Sequence, residues 1–355
     1  MTPARRIGVL TFHRCINYGS YWQTRCLVEG LRARGHEVEV LDHDCSEVAR
    51  AELNCALQPK LPTRTPRHEL PAYKAKVRLF ASAFERLPLS KRFSLHRPAS
   101  SGRYDAVVVG SDEVWNFRHP WYNGKPVFFG EGLQTERLLS YAASFGNHPA
   151  GDGLSEDWSE RLERFSAISV RDQNSRDLIE RATGHDPEVT LDPCLQFSEF
   201  ARQKSGAEDD YAVVYGHSFP AWFPIMMRKW ADERRMKLVS PGYSNPWTDV
   251  QMIDAGPMEF ARLMAGSKAV ATNYFHGSVF ALLNGHPWVA APSDYRSIKL
   301  SGLASLIGAD ERIISETTPD SDLRALLASP PGQRVGERIT AIRSSSNAFL
   351  DAALA

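Results

Sequence analysis

The sequence lacks most of the features that place a protein at first sight. It has no net charge, since 42 Lys and Arg face 42 Asp and Glu over 355 residues. That removes any general electrostatic argument for a nucleic-acid partner. Its five cysteines (Cys15, Cys26, Cys45, Cys55, Cys194) are scattered, odd in number and without a C-x-x-C pair. This pattern fits reduced thiols in a cytoplasmic protein and excludes a disulfide framework. No apolar run approaches the roughly 20 residues of a membrane helix, and residues 7–12, after a polar start, are too few for a secretory signal. No repeat of solenoid period is present. Disorder is excluded by a hydrophobic content of 43% with 8 Trp and 17 Phe. The length exceeds what one core usually holds, so two domains are expected.

What is present alternates between strand and helix. Residues 7–12 are a short apolar run, expected as a buried parallel strand. A helix over 21–34 and a strand over 37–42 complete a βαβ unit. Asp42 ends that strand where Rossmann folds place a ribose-binding acid, but the preceding loop has no G-x-G-x-x-G, which leaves Asp42 as a strand-end carboxylate. Residues 58–99 are basic and proline-rich, with an amphipathic helix expected over 72–86. This insertion reads either as a solvated connector or as a surface for a membrane or an anionic acceptor. Strands follow at 104–109, 138–144, 167–170 and 188–193, with helices at 158–165 and 175–181. A second cycle has strands at 211–215, 237–240, 269–272 and 288–291, and helices at 221–235, 257–264, 296–306 and 320–327. A long helix over 332–354 closes the chain. Alternation throughout predicts parallel, doubly wound sheets.

The expected fold is therefore α/β, with two Rossmann-like doubly wound domains facing a cleft in a GT-B-like architecture. The first domain spans 1–200 and carries the basic insertion near 58–99. The second spans 205–330, the polar segment 198–210 marks the boundary, and the closing helix, 331–355, is placed to pack back on the first domain.

One stretch organises the site. Residues 268–287 read as strand, tight loop and helix, with Ser278 as N-cap, Gly285 at the helix end and Pro287 as the stop. His276 then lies between the strand end and the helix start. Ligands of open α/β sheets bind at that edge, and the free N–H groups of the helix start favour an anion. The dipole there also favours neutral imidazole over imidazolium, which suits the ring to proton transfer. The plain alternative is a loop histidine that only bonds the backbone. In the first half, Gly110 allows a tight turn that brings Ser111 and Asp112 to the sheet edge.

Several stretches together resemble the polysaccharide pyruvyl transferase family. They are Gly8-Val-Leu-Thr-Phe with Asn17-Tyr-Gly19, Val109-Gly-Ser-Asp112-Glu-Val-Trp115-Asn116, Ser140-Tyr-Ala-Ala-Ser-Phe-Gly146, Ser169-Val-Arg171-Asp172, Leu191-Asp192-Pro193, Phe275-His276-Gly277 with the run to Pro287, and the segment 296–302. Each is weak alone; seven in order are specific. The insertion is poorly covered by the resemblance.

The resemblance implies a phosphoenolpyruvate-dependent enzyme that builds a pyruvate ketal on two hydroxyls of a sugar, in a lipid-linked or nucleotide-linked glycan precursor. No metal or nucleotide cofactor is implied; phosphoenolpyruvate is the co-substrate. The expected location is cytoplasmic, with contact at the inner membrane face through 58–99 left open. It implies His276 as acid/base and Arg171 as the catalytic anion clamp, Arg171's alternative being a structural ion pair. Gly277, Ser278, Arg296 and Lys299 are the remaining donor-side candidates. Asn17, Gly19, Ser111, Asp112, Trp115 and Tyr274 are the acceptor-side candidates. One departure stands out. Well-studied members carry Arg two residues before the motif histidine, where this chain has Tyr274, so the donor cation is either missing or supplied from elsewhere, with Arg296 and Lys299 nearest in sequence. The competing readings are transfer from a nucleotide-activated donor on the same scaffold and a non-catalytic sugar-binding relative.

Overall fold

The computed structural model describes residues 4–204 and 210–355. The chain divides into two compact units. Unit 1 comprises the chain up to Glu52, Phe84–Phe200 and Ile339–Ala355; unit 2 comprises Leu53–Ala83 and Ala201–Arg338. The expected boundary segment, 198–210, includes the division between Phe200 and Ala201, while its residues 205–209 lie outside the described residues.

In chain order the first elements are β1 (Arg6–Leu10), α1 (Tyr18–Ala33), β2 (Glu37–Val40), α2 (Ser46–Leu57), α3 (Leu70–Phe84), β3 (Arg103–Val109), β4 (Gln134–Ser140), α4 (Glu156–Glu163), β5 (Ser169–Val170), α5 (Gln173–Thr183) and β6 (Glu188–Val189). The sheet of unit 1 runs β2-β1-β3-β4, every neighbour parallel. The parallel pair β5–β6 continues it through bridges from Leu139 and Ala143. Parallel strands are covered on both faces and read as continuous apolar runs, and Ile7, Val9, Leu10 and Val107–Val109 are buried accordingly. The second half of the closing helix belongs to this unit. Its Ser346 accepts the Leu191 N–H at 3.1 Å, and Arg34 pairs with its Asp351 and Asn347.

Unit 2 contains β7 (Tyr211–Tyr215), α6 (Trp222–Arg234), β8 (Lys237–Pro241), β9 (Val250–Met252), α7 (Pro257–Gly266), β10 (Ala269–Thr272), α8 (Phe275–Asn284), β11 (Trp288–Ala290), α9 (Ser297–Ile307), α10 (Asp320–Ala328) and the first part of α11 (Gln333–Ala353). Its sheet order is β9-β8-β7-β10-β11, all parallel. Counted within the unit this is the 3-2-1-4-5 order of a doubly wound fold, and it reverses direction between β7 and β10.

Three expectations are corrected. The insertion, 58–99, is not a feature of the first domain alone: 84–99 stay in unit 1, while residues 53–83 belong to unit 2. The cause is burial of its helix against that unit. The Tyr73 hydroxyl accepts the Ser244 N–H at 3.1 Å, and Lys76 Nζ donates to the Gly242 carbonyl at 2.7 Å. The strand read over 188–193 stops at Val189, because Asp192 caps a short helix, Pro193–Gln196, by accepting the Cys194 N–H at 2.9 Å. Ser278 is not the N-cap of α8. The helix begins at Phe275, and Ser278 is buried within it.

Candidate functional site

Unit 2 turns its chain at the carboxyl ends of β7 and β10, the switch point of its sheet. Gly216 follows β7 with φ +139°, and a Cβ there would overlap Asn273 Oδ1. Only glycine tolerates both constraints. The turn is then clamped by two amides, Asn245 Nδ2 donating to the Gly216 carbonyl and Asn273 Nδ2 to that of His217, each at 2.8 Å. Across the switch, Thr272 Oγ1 donates to the Tyr215 carbonyl at 2.6 Å and accepts the Tyr274 N–H at 3.0 Å. These bonds fix His217 and Tyr274 at the same sheet edge. Their rings lie 5.8 Å apart, and Tyr243 completes the set, 4.8 Å from His217 and stacked on Tyr274 at 5.6 Å.

Three cations surround these rings. Arg296 Nη2 donates to the Tyr274 hydroxyl at 3.1 Å, and its guanidinium lies 4.2 Å from the ring centre. Lys76, only 2% exposed, places Nζ 4.6 Å from the Tyr243 ring, and Lys60 donates to the Ser244 carbonyl. Burial pushes the Lys76 ammonium down to about 7, with the Cys55 thiol opposing. Burial also lowers Lys60, opposed by Glu69. His217 is driven down to about 3 by burial and then by the positive charges of Arg296, Lys60 and Lys76. A cluster of that sign, backed by rings and carbonyls, attracts anions.

His276 sits in the first turn of α8, buried, with its ring 5.1 Å from that of Phe275. Gly277 serves packing: a Cβ would overlap the Thr272 hydroxyl, and its N–H donates to the Tyr274 carbonyl at 3.0 Å. This corrects its expected part as an anion donor, because the amide is used to close the turn. Lys299 stands 5.5 Å over the Tyr295 ring.

The candidates of unit 1 are largely absorbed by its own structure. Asn17 is the N-cap of α1 and accepts from Gly19 N at 2.8 Å and Ser20 N at 3.4 Å, which accounts for Asn17 and Gly19 together. Ser111 is fully buried and donates to Gln23 Oε1 at 3.0 Å. Asp112, with φ +88°, accepts from Ser20 Oγ at 2.7 Å. Arg171 lies between carboxylates, 3.6 Å from Asp112 and 3.7 Å from Asp192, with 3% of its side chain exposed. That geometry is the ion-pair alternative. Trp115 is corrected from acceptor contact to core residue. It is fully buried, its indole N–H donates to the Phe128 carbonyl at 2.8 Å, and its ring packs among Phe129, Phe145 and Phe165. Asp42 is engaged by His13, Arg14 and Arg92. Burial opposes its ionised form, yet His13, Arg14 and Arg92 hold it well below the usual carboxylate range.

Sequence reasoning missed Lys60, Lys76, His217 and Tyr243. Lys76 left a trace: it stands on the apolar face of α3, three residues after Tyr73 and four before Phe80, where a charge is out of place. His217 stands two residues after an apolar strand, a signal like the one that marked His276. Unit 1 also holds a group of metal-ligand types, Cys45, Glu47 and His96.

Two parallel sheets wound with helices define an α/β protein of the GT-B-like class, and solved structures share the fold. A UDP-GlcNAc 2-epimerase from Neisseria meningitidis, bound to UDP-GlcNAc, is 10% identical with a TM-score of 0.51, over 97% of this chain and 99% of that one. Another UDP-N-acetylglucosamine 2-epimerase is 12% identical at 0.52, over 99% and 95%. A Listeria monocytogenes protein to which the same activity is ascribed is 12% identical at 0.53, over 98% and 95%. Such identities speak for the fold alone. The family is defined by sequence: the model for polysaccharide pyruvyl transferase matches residues 17–295, and the chain belongs to that family. No curated protein matches the chain. Among the described residues no helix is long and apolar enough to cross a membrane.

Proposed function

We propose that the protein transfers the enolpyruvyl group of phosphoenolpyruvate onto two hydroxyls of a sugar acceptor, forming a pyruvate ketal and releasing phosphate. The observation that carries this reading is the cation cluster of unit 2, where Arg296, Lys60 and Lys76 stand round His217 and the Tyr243–Tyr274 pair. Phosphoenolpyruvate bears a phosphate and a carboxylate on three carbons, and both groups suit guanidinium forks and ammonium donors. Arg296 reaches the ring of Tyr274, the residue that stands where well-studied members carry the motif arginine. It is the replacement cation in this scheme.

A proton delivered to C3 makes C2 electrophilic. One sugar hydroxyl adds to C2 and loses its proton, and phosphate departs with the electrons of its C–O bond. The second hydroxyl then closes the ketal, its proton going to phosphate. C3 gains one proton and each hydroxyl loses one, so the scheme uses neither metal nor nucleotide cofactor. His276 is assigned the C3 proton and its recovery from the first hydroxyl. Lys76, Lys60 and Arg296 hold the charge that leaves with phosphate.

The test is phosphate release from phosphoenolpyruvate by the purified protein with a panel of nucleotide-linked and lipid-linked sugars. Release dependent on an acceptor, with a product heavier by pyruvate less one water, is expected. His276→Ala lowers the rate by about 10²–10⁴-fold and leaves thermal melting unchanged. Transfer from a nucleotide sugar with no phosphate release would replace this reading with glycosyl transfer.

A further inference from the structure

Away from that cluster, a parallel pairing in unit 1 brings residues 43–44 beside 93–94. Phe93 N–H donates to the Asp42 carbonyl and Leu95 N–H to that of Asp44, both at 3.0 Å. The next residues out, Cys45 and His96, are therefore brought together from 51 positions apart. Cys45 Sγ is 3.7 Å from Glu47 Oε2 and 3.9 Å from His96 Nε2, and the three ligand atoms all lie within 4.8 Å of one another. Cys45 is buried, whereas Glu47 and His96 are exposed.

We propose that Cys45, Glu47 and His96 form a binding site for a borderline-soft divalent cation of the zinc type. Thiolate, imidazole and carboxylate are the ligand classes that Zn²⁺ takes, and tetrahedral bond lengths separate such ligand atoms by about 3.5 Å. The Sγ distances are within a few tenths of an ångström of that value, and the two exposed side chains are free to close the remainder. On binding, Cys45 gives its thiol proton to solvent, His96 ligates as neutral imidazole through Nε2, and Glu47 ligates as carboxylate. Two positive charges then meet two negative ones. A fourth position stays with solvent. Soft thiolate with imidazole disfavours Mg²⁺ and Ca²⁺, which prefer all-oxygen sites.

The position suggests what the ion does. Cys45 lies just before the chain passes into unit 2 after Glu52, and His96 follows its return at Phe84. A metal there would clip the outgoing and returning segments of unit 1 together, and closing a long loop limits the freedom of the unfolded chain.

The test uses the full-length protein without an affinity tag, stripped with chelator and titrated with ZnCl2 against a chromophoric chelator. A parallel titration with CoCl2 reads the thiolate-to-cobalt charge-transfer band. One tight equivalent of zinc, a cobalt–thiolate band and a raised melting temperature are expected. Cys45→Ser abolishes the band, and His96→Gln weakens zinc by at least tenfold, while both metal-free variants melt with the metal-free wild type. Cys55→Ser, at an exposed thiol outside the cluster, leaves all readouts unchanged. Absence of a tight equivalent, or retention of it in Cys45→Ser and His96→Gln, overturns the proposal.

Discussion

Both units turn their chains at the carboxyl edge of a parallel sheet, yet they treat charge there in opposite ways. In unit 1 the cations of that edge meet carboxylates. Arg14 and Arg92 converge on Asp42, and Arg171 sits between Asp112 and Asp192. In unit 2 the cations meet rings and carbonyls: Arg296 on Tyr274, Lys76 on Tyr243 and Gly242, Lys60 on Ser244. Glu69 answers Lys60, while the charges of Arg296, Lys60 and Lys76 add to burial in lowering His217. Paired buried charges hold a structure in register, and cutting one strands its partner. Cations set against aromatic faces keep their charge available to an incoming anion. The difference sets paired charge in unit 1 against charge left on rings and carbonyls in unit 2, and the donor site proposed above rests on the latter.

Arg171→Leu is the most severe way to break the comparison. It leaves Asp112 and Asp192 buried without their cation, and a loss of about 3–5 kcal/mol in unfolding free energy is expected, measured by denaturant titration. Full stability with abolished turnover would return Arg171 to the role of anion clamp. Arg296→Ala is the counterpart in unit 2. Phosphoenolpyruvate binding weakens by roughly 10–100-fold, the worth of a charge-assisted hydrogen bond, while the melting temperature barely moves.

Lys76 sharpens the comparison through pH. Its folded value, about 7, lies below its ordinary 10.5. Between those values the unfolded chain holds more protons, so stability rises with pH across that window. Lys76→Met removes this rise. Donor affinity runs the opposite way, because an anion prefers the ammonium. Above pH 7 the wild-type dissociation constant climbs by up to about tenfold per pH unit, and Lys76→Met abolishes the dependence as it weakens binding. The smallest effect is Arg92→Ala. Arg92 is a half-exposed third partner of Asp42, and its loss costs about 1 kcal/mol or less.

The sequence revealed the elements whose burial is written in consecutive residues. β1, β3, β7 and β10 are apolar runs and were read within a few positions. β9 is three residues long with Val250 exposed at 40%, so no pattern announced it. The start of α1 was read late because Tyr18, Gly19 and Ser20 carry no period; only the cap at Asn17 reveals it. The site shows the same limit. The positions of His276 and Tyr274 after a strand end can be read from the sequence. Lys60 and Lys76 reach residues 242–244 from an insertion far away in sequence, and composition alone made that insertion look like a surface connector. Its charge is in part interior, which only the packing of Tyr73 and Lys76 on residues 242–244 discloses. Trp115 failed in the other direction: a residue prominent in a motif proved to be core.

The most direct measurement is calorimetric titration of the protein with phosphoenolpyruvate, beside a panel of nucleotide sugars, for the wild type, Arg296→Ala and Lys76→Met. Saturable phosphoenolpyruvate binding that weakens at least tenfold in each variant, with unchanged melting of Arg296→Ala, is the predicted result. No phosphoenolpyruvate binding, or equal affinity in all three proteins, would contradict the assignment of the donor site to unit 2.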